Sequence, residues 1–428
     1  MNDGYIERAL EPTLRRAGEQ FPAVVLTGPR QAGKTTLLRR LFGETHEYVS
    51  LEAPDTRALA LADPRSFLAR HAPPVIFDEV QQAPDLLSYL QEAIDERREL
   101  RGRYLLSGSQ NLLLLERVSE SLAGRAAVLH LMPLSRRETT GRPHEPLPWL
   151  TGAQAGARDG RTDGAQVGAT DGARDGAAGR PSFDGLWASL VRGSYPELVA
   201  RPEIDTAGWY NAYVATYLER DVRSVRQVGD LAQFRDFLRA IALRSGQILN
   251  LADLGRDLGL TAKTVRVWLS VLEASFLAVL VRPYFANAGK RLTKSPKVYL
   301  TDVGLLCHLA GIGEPRHAAD GPLAGAIFET AVFGELYKTM LSAGTTPRIH
   351  FWRTAKGSEV DLVVEEEYPF LVPIEAKASG TLRPEMGAQI RALQRDLPER
   401  VRDGYVVYTG DRVAPVGTGV TGVPFGRF

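Results

Sequence analysis

The run Gly28-Pro-Arg-Gln-Ala-Gly33-Lys34-Thr35 follows a short apolar segment, Ala23–Thr27, and precedes a helical pattern from Thr35 to Phe42. Glycine at 28 and 33 permits a tight loop whose backbone N–H groups turn inward. The helix N-terminus behind it adds its positive end, so the loop suits the phosphates of a nucleotide. Lys34 would reach the β- and γ-phosphates and Thr35 would ligate Mg2+. Gly28, Pro29, Arg30, Gln31, Ala32, Gly33, Lys34, Thr35 and Thr36 are the candidate contacts. A second apolar run ends in Asp78-Glu79. Asp78 is placed to hold Mg2+ through water, and Glu79 to polarise an attacking water, which suggests hydrolysis and not mere binding. Two further positions carry open readings. Ser107 or Ser109 ends a strand beside that run and either senses the γ-phosphate or caps the next helix. Arg125 precedes another apolar strand and either contacts the γ-phosphate, in cis or across a subunit boundary, or only faces solvent.

A second constellation lies near the C-terminus. Gly357-Ser-Glu359-Val-Asp361-Leu-Val-Val364 alternates like a half-buried strand, and a later run holds Ile374-Glu375-Ala376-Lys377. Side chains two apart on a strand share a face, so Glu375 and Lys377 point the same way, as do Glu359 and Asp361. Neighbouring strands would let Asp361 and Glu375 share one Mg2+ or Mn2+, whose hard character suits carboxylates. Lys377 would position the attacking water or stabilise charge on a phosphoryl oxygen. Glu329, on a helix upstream, could complete the metal site, and Gln389 lies on the helix that follows. His350 is near in sequence and reads as structural.

Gly28–Thr35, Asp78-Glu79, Ser107-Gly-Ser109 and Ser121–Arg125 together resemble the AAA+ (ASCE-type P-loop) ATPases. More narrowly, the chain resembles a bacterial and archaeal AAA+ family whose C-terminal domain is of uncharacterised function. Gly193-Ser-Tyr-Pro-Glu197 and Tyr217-Leu-Glu-Arg-Asp221 look like motifs of that family. The resemblance implies ATP as ligand and action as a homo-oligomer. The Glu329, Asp361, Glu375, Lys377 set resembles the PD-(D/E)xK nuclease fold, either cutting nucleic acid or keeping the fold without cutting.

The elements that must position these groups follow from periodicity. Short apolar runs at Glu47–Leu51, Pro74–Asp78, Tyr104–Ser107 and Ala127–Leu131 alternate with helical stretches such as Leu86–Glu99, which predicts a parallel sheet covered by helices. Leu186–Leu243 reads as helical. Leu251–Leu258 and Thr261–Leu272, broken at Gly259, resemble a helix-turn-helix. Phe276–Leu300 is strand-rich, and within it Val281–Tyr299 could form a wing with Lys290, Arg291, Lys294 and Lys297 at its tip or edges. Lys263 and Arg266 would then face DNA; the alternative is packing or protein contact, with Asp253, Asp257 and Glu273 turned away from any duplex. A C-terminal α/β unit begins with a helix at Ile327–Ser342. The expected fold class is α/β: a P-loop AAA+ parallel sheet with helices on both faces, a helical and winged-helix middle region, and a restriction-endonuclease-like C-terminal domain. The expected boundaries are 1–150, an insertion at 151–181, a helical lid at 182–245, the winged-helix region at 246–312 and the nuclease-like domain at 313–428.

Within the insertion, glycine recurs every fourth residue from Gly152 to Gly176, filled mostly with Ala, Arg, Asp, Gln and Thr. Such filler cannot bury enough surface to offset an ordering entropy of about 1–2 kcal/mol per residue, which predicts a flexible segment. The 428 residues hold 52 Lys+Arg against 51 Asp+Glu, so any basic surface must be local. Cys307 is the only cysteine, which excludes an internal disulfide and a multi-cysteine zinc site. No apolar run approaches the roughly 20 residues that span a bilayer. The first residues do not read as a signal sequence. A cytoplasmic protein without membrane contact is the expectation.

Overall fold

The computed structural model describes residues 4–108, 121–150, 183–217, 230–285, 294–354, 357–366 and 370–428. Ser109, the Gly152–Gly176 repeat, residues 218–221 of the second family-like motif, and Lys290 and Arg291 lie outside the described residues.

Five strands form the first sheet: β1 (Ala23–Thr27), β2 (Glu47–Ser50), β3 (Val75–Asp78), β4 (Tyr104–Gly108) and β5 (Ala126–His130). Their order is β2-β3-β4-β1-β5, and every pairing is parallel. The sequence predicts this sheet because its strands are apolar on both faces. Ala23, Val25, Phe77 and Leu106 pack into one cluster with Phe67, Leu86 and Leu90. Val24, Leu26, Ile76 and Leu105 pack into another with Leu14, Leu37 and Leu38. The period-two split therefore buries helices against both faces. β4 separates β1 from β3, so the loop after β1 and the acids ending β3 open at the same edge of the sheet.

The stretch expected to be one helical region is broken into Phe183–Arg192, Pro196–Ala200, Thr206–Tyr217 and Leu231–Ala242. The first break has a steric cause. Gly193 has φ +85°, and a Cβ there would fall 1.9 Å from the Tyr210 hydroxyl. Pro196 then starts the next helix at a first-turn position, where its missing N–H costs nothing.

The middle of the chain holds helices Leu251–Leu258 and Ala262–Ala274, with Gly259 in the left-handed region between them and Thr261 capping the second. A small antiparallel sheet adjoins them: β6 (Gln247–Ile248), β7 (Ala278–Val281) and β8 (Lys297–Leu300), in the order β6-β8-β7.

The third sheet has strands β9 (Ile349–Arg353), β10 (Glu359–Glu365), β11 (Leu371–Lys377), β12 (Gly404–Tyr408), β13 (Ala414–Gly417) and β14 (Val420–Pro424). Its order is β13-β14-β12-β11-β10-β9. The closing β13–β14 pair was not foreseen; Pro415 sits on β13, at the sheet edge, where a strand proline is tolerated.

The long helix Ala324–Ser342 is apolar nearly all round because it is covered on several sides. Phe328 and Val332 join the same core as Trp187, Val298, Ile374 and Phe425. The two buried charges on this helix, Glu335 and Lys338, face the first sheet's exit. Glu335 Oε1 accepts the Arg136 backbone N–H at 2.7 Å. Lys338 Nζ donates to the Leu134 carbonyl and the Ser194 hydroxyl at 3.0 and 2.9 Å.

Candidate functional site

The phosphate loop adopts the backbone its glycines foreshadow. Gly33 enters the helix Lys34–Phe42 at φ +91°, and Gln31 is also left-handed at φ +59°. At Gly28 a Cβ would lie 2.1 Å from the Leu131 carbonyl oxygen, so only glycine lets β5's exit pass this close. Lys34 is buried and its Nζ donates to the carbonyls of Gly28 and Pro29 at 3.0 and 2.8 Å, so the ammonium lies inside the loop's concavity.

The loop and the acids that end β3 meet. Thr35 Oγ1 donates to Asp78 at 2.9 Å from Oδ2. The Tyr48 hydroxyl donates to the same oxygen at 2.7 Å, and buried Ser107 donates to Oδ1. Ser107 thus lies at the site, as its sensor reading requires. Burial and the Asp78 carboxylate push the Tyr48 hydroxyl up to about 12, so it remains a proton donor to Asp78 across the physiological range. A threonine hydroxyl and a buried carboxylate side by side are hard oxygen donors of the kind Mg2+ takes. Glu79 follows with φ +58°, a left-handed conformation that is uncommon for a non-glycine residue and collects at functional sites. Its Oε2 accepts from the Gln81 side chain.

Of the open readings of Arg125, contact with the γ-phosphate in cis fails. Arg125 is placed at the start of β5, where its carbonyl accepts the Ala23 N–H. The phosphate loop leaves the other end of β1, about 17 Å away at about 3.3 Å per strand residue. The Arg125 guanidinium instead binds both Asp95 oxygens at 2.7 Å. Parallel pairing sets this distance, and it removes Arg125 from the nucleotide of its own chain.

Two neighbours of the loop come from elsewhere in the chain: Arg8, which carried no motif signal, and Pro196, from the Gly193–Glu197 motif, whose role the sequence did not give. Buried Arg8 donates to the Ala32 carbonyl at 2.8 Å, the Met132 carbonyl at 2.6 Å and Glu138 Oε1 at 2.9 Å, tying the N-terminal segment to the loop. The Pro196 ring lies 3.8 Å from where a Gly33 Cβ would stand. With Tyr5, Thr36 and Arg40 these two residues line a cleft of about 800 Å³ beside the loop. The Gly193–Glu197 motif therefore sits at the phosphate loop. It also reaches the middle of the chain, where Ser194 donates through its N–H and hydroxyl to Asp302 at 2.8 and 2.7 Å.

At the C-terminal constellation the topology places Asp361 and Glu375 across from each other. β10 and β11 pair antiparallel with Leu362 opposite Ile374, and Asp361 Oδ2 accepts the Ala376 N–H at 2.9 Å. Lys377 Nζ lies 2.5 Å from Glu375 and 3.7 Å from Asp361. Glu375 is buried and its Oε1 has no hydrogen-bond partner among the described residues. Burial, with Asp361 beside it, pushes the Glu375 carboxyl well above the usual range. A buried acceptor oxygen without a donor fits a bound cation.

Glu329 departs from its expected role as a metal ligand. Its Oε1 accepts from Lys297 Nζ at 2.9 Å and from the Tyr299 hydroxyl at 2.5 Å, and Lys297 also pairs with Glu359 Oε1 at 2.7 Å. Among the described residues no three His, Cys, Asp or Glu side chains are grouped to hold one metal ion. Lys297, expected at a wing's tip or edge, is 2% exposed and points into this cluster. Strand parity explains the inversion: Lys297 and Tyr299 share the inward face of β8. His350 is absorbed structurally, pairing with Glu365 at 3.3 Å.

Burial, with Asp361 nearby, raises the Glu329 carboxyl to about 7 despite Lys297. Between the ordinary glutamate value and about 7 the folded chain holds a proton that the unfolded chain has released. Glu329's contribution to stability therefore falls as pH rises through that window. E329Q cannot titrate and leaves Lys297 its partner Glu359. Its thermal midpoint should drop less between pH 5 and pH 7.5 than the parent's; equal drops would place the titration elsewhere.

Lys263 and Arg266 are exposed on the helix Ala262–Ala274, and Lys294 is exposed beyond the undescribed segment. Asp253 and Asp257 are paired with Arg256 and Arg244 at 2.6 and 2.5 Å. Among the described residues no helix is long and apolar enough to cross a membrane.

Residues 20–140 match the family described as an AAA domain. Residues 184–316 and 324–428 match two domains of unknown function, DUF8612 and DUF4143. An uncharacterised protein of Mycobacterium tuberculosis, Rv2008c, is 32% identical over 416 residues, covering 96% of this chain and 82% of that protein. Mb2031c of Mycobacterium bovis, also uncharacterised, matches with the same figures. Among solved structures, the Walker-type ATPase PABY2304 of Pyrococcus abyssi is 16% identical with a TM-score of 0.43, covering 72% of this chain and 97% of that one. A RuvB variant of Thermotoga maritima is 18% identical with a TM-score of 0.29, covering 69% and 95%.

Proposed function

The chain belongs to the same family as the two mycobacterial proteins and carries a P-loop ATPase-like AAA domain, and from that premise we propose that it hydrolyses ATP and couples this to nucleic-acid chemistry at its C-terminal domain. The observation that carries the first half is the 2.9 Å hydrogen bond between Thr35 and Asp78. It joins the loop that would hold the phosphates to the strand end that would hold Mg2+ through water. Thr35 and, through water, Asp78 would hold Mg2+, which would supply positive charge against the charge that develops on the phosphates. Lys34 would turn from the loop carbonyls to the phosphate oxygens, Ser107 would sense the γ-phosphate through Asp78, and Glu79 would take a proton from the attacking water. The cleft lined by Tyr5, Arg8 and Pro196 would receive the nucleoside.

For the second half, Asp361 and Glu375 would hold Mg2+ or Mn2+, and Lys377 would orient water or steady a phosphoryl oxygen during phosphodiester cleavage. The middle region, read as a winged helix, would present Lys263 and Arg266 to DNA. A second reading keeps the nucleotide switch and drops the cleavage, leaving C-terminal domains that bind DNA or protein. It is favoured by Lys297, which already pairs with Glu329 and Glu359.

ATP binding and turnover, together with degradation of a panel of DNA and RNA substrates in Mg2+ and Mn2+, test both readings. Lys34→Ala should lose tight ATP binding while its circular dichroism spectrum stays parental, because the loop contributes little to either face's apolar cluster. Tight binding by the variant would remove the phosphate loop from the proposal.

A further inference from the structure

We propose that Lys297 is a built-in cation of the C-terminal carboxylate cluster, supplied by β8 from outside the C-terminal domain, and that it limits the cluster to one divalent metal ion, at Asp361 and Glu375. The inference rests on the metal-dependent reading above and adds the stoichiometry and the residue that sets it.

The ammonium is held firmly. Lys297 Nζ sits 2.9 Å from Glu329 Oε1 and 2.7 Å from Glu359 Oε1. It lies 5.5 Å from the centre of the Phe351 ring. The chain that leaves β7 is itself attached to the C-terminal sheet: the Tyr284 N–H donates to the Phe351 carbonyl at 2.6 Å, and Pro283 bridges to Phe351. The lysine therefore arrives from one sheet and is received by another.

Two-metal phosphodiester sites place their ions about 3.5–4 Å apart between carboxylates. An ammonium bridging two carboxylates of the cluster carries the charge sign of one such ion. Glu329 also accepts from Tyr299, so its Oε1 is already shared between two donors. The acceptor left over is Glu375 Oε1, which is buried and has no partner among the described residues. The charge balance agrees. With every carboxyl ionised, as ligands must be when a metal ion binds, Glu329, Glu359, Asp361 and Glu375 are met by Lys297, Lys377 and, from the solvent side, Arg353 at 3.7 Å from Glu359. One divalent ion turns the one remaining negative charge into one positive charge. A second would leave three positive charges in a largely buried space, which is costly.

Mn2+ titration of the full chain without nucleotide, read by the loss of the free-ion electron paramagnetic resonance signal, counts the ions directly. The ions assigned to the cluster are those lost when Asp361→Asn or Glu329→Gln is introduced into the chain under test. The parent should bind one. Lys297→Met, or Lys297→Gln should the methionine variant not fold, should bind two, the second disappearing when Glu329→Gln is added. Lys297→Arg should return the count to one, which a merely structural lysine would not predict. Two ions in the parent, or one in a folded Lys297→Met or Lys297→Gln chain, would overturn the role of Lys297. No Asp361-dependent ion in the parent would overturn the metal-dependent reading itself, and the inference with it. Should neither neutral variant fold, the parent count decides: one supports the proposal and two overturns it.

Discussion

Glu79→Gln should leave ATP binding close to parental and slow ATP turnover by about 10²- to 10⁴-fold, the range that positioned acid–base groups supply. At the middle of that range the barrier rises by about 4 kcal/mol. Binding survives because the residues that would touch the phosphates are those of the loop Gly28–Thr35, and the Mg2+ would be held by Thr35 and Asp78, not by Glu79. Folding survives because glutamine keeps the size of Glu79 and an acceptor oxygen for the Gln81 amide. What is lost is the carboxylate that would take a proton from water. Phosphate release and calorimetric ATP binding, measured on one preparation, separate the two effects. Parental turnover would show that Glu79 is not the base. Weakened binding with little loss of turnover at saturation would assign it a binding role.

Asp361→Asn should abolish any Mg2+- or Mn2+-dependent cleavage of DNA or RNA, a loss of about a thousandfold or more, equivalent to about 4 kcal/mol. Asparagine keeps an oxygen to accept the Ala376 N–H, so the β10–β11 pairing should hold and the loss should be chemical. ATP turnover should be unchanged, since the Asp361 cluster and the phosphate loop are built on different sheets. A variant that cleaves like the parent would remove Asp361 from the reaction. A parent that cleaves nothing in either metal would leave the nucleotide-switch reading.

The phosphate loop was legible because its chemistry is local. Gly28, Gly33, Lys34 and Thr35 act through one turn and the first turn of the helix behind it, and β1 announces itself by five consecutive buried residues. Asp78-Glu79 was legible for the same reason, as the end of an apolar run. Asp361, Glu375 and Lys377 were legible as a pattern because strand parity puts Glu375 and Lys377 on one face. Their meeting with Asp361 depended on β10 and β11 being neighbours, which periodicity does not state.

Arg125 shows where local reading stops. Its turn has the right neighbours in sequence, yet parallel pairing of β5 with β1 puts it at the opposite edge of the sheet from the loop. Arg8, Tyr48 and Pro196 reach the cleft beside the loop from three separate parts of the chain; Arg8 and Tyr48 belong to no motif, and the Gly193–Glu197 motif that holds Pro196 does not by itself say where it lies. The amino-acid sequence by itself determined the two chemistries on offer, the parallel sheet and the strand faces, because each depends on residues a few positions apart. Which charges keep each other company was decided by the tertiary structure alone. Lys297 reads as an exposed basic residue until β8 docks against the helix Ala324–Ser342 and β10. Only then do Glu329 and Glu359, separated from it by 32 and 62 residues, take the ammonium out of solvent.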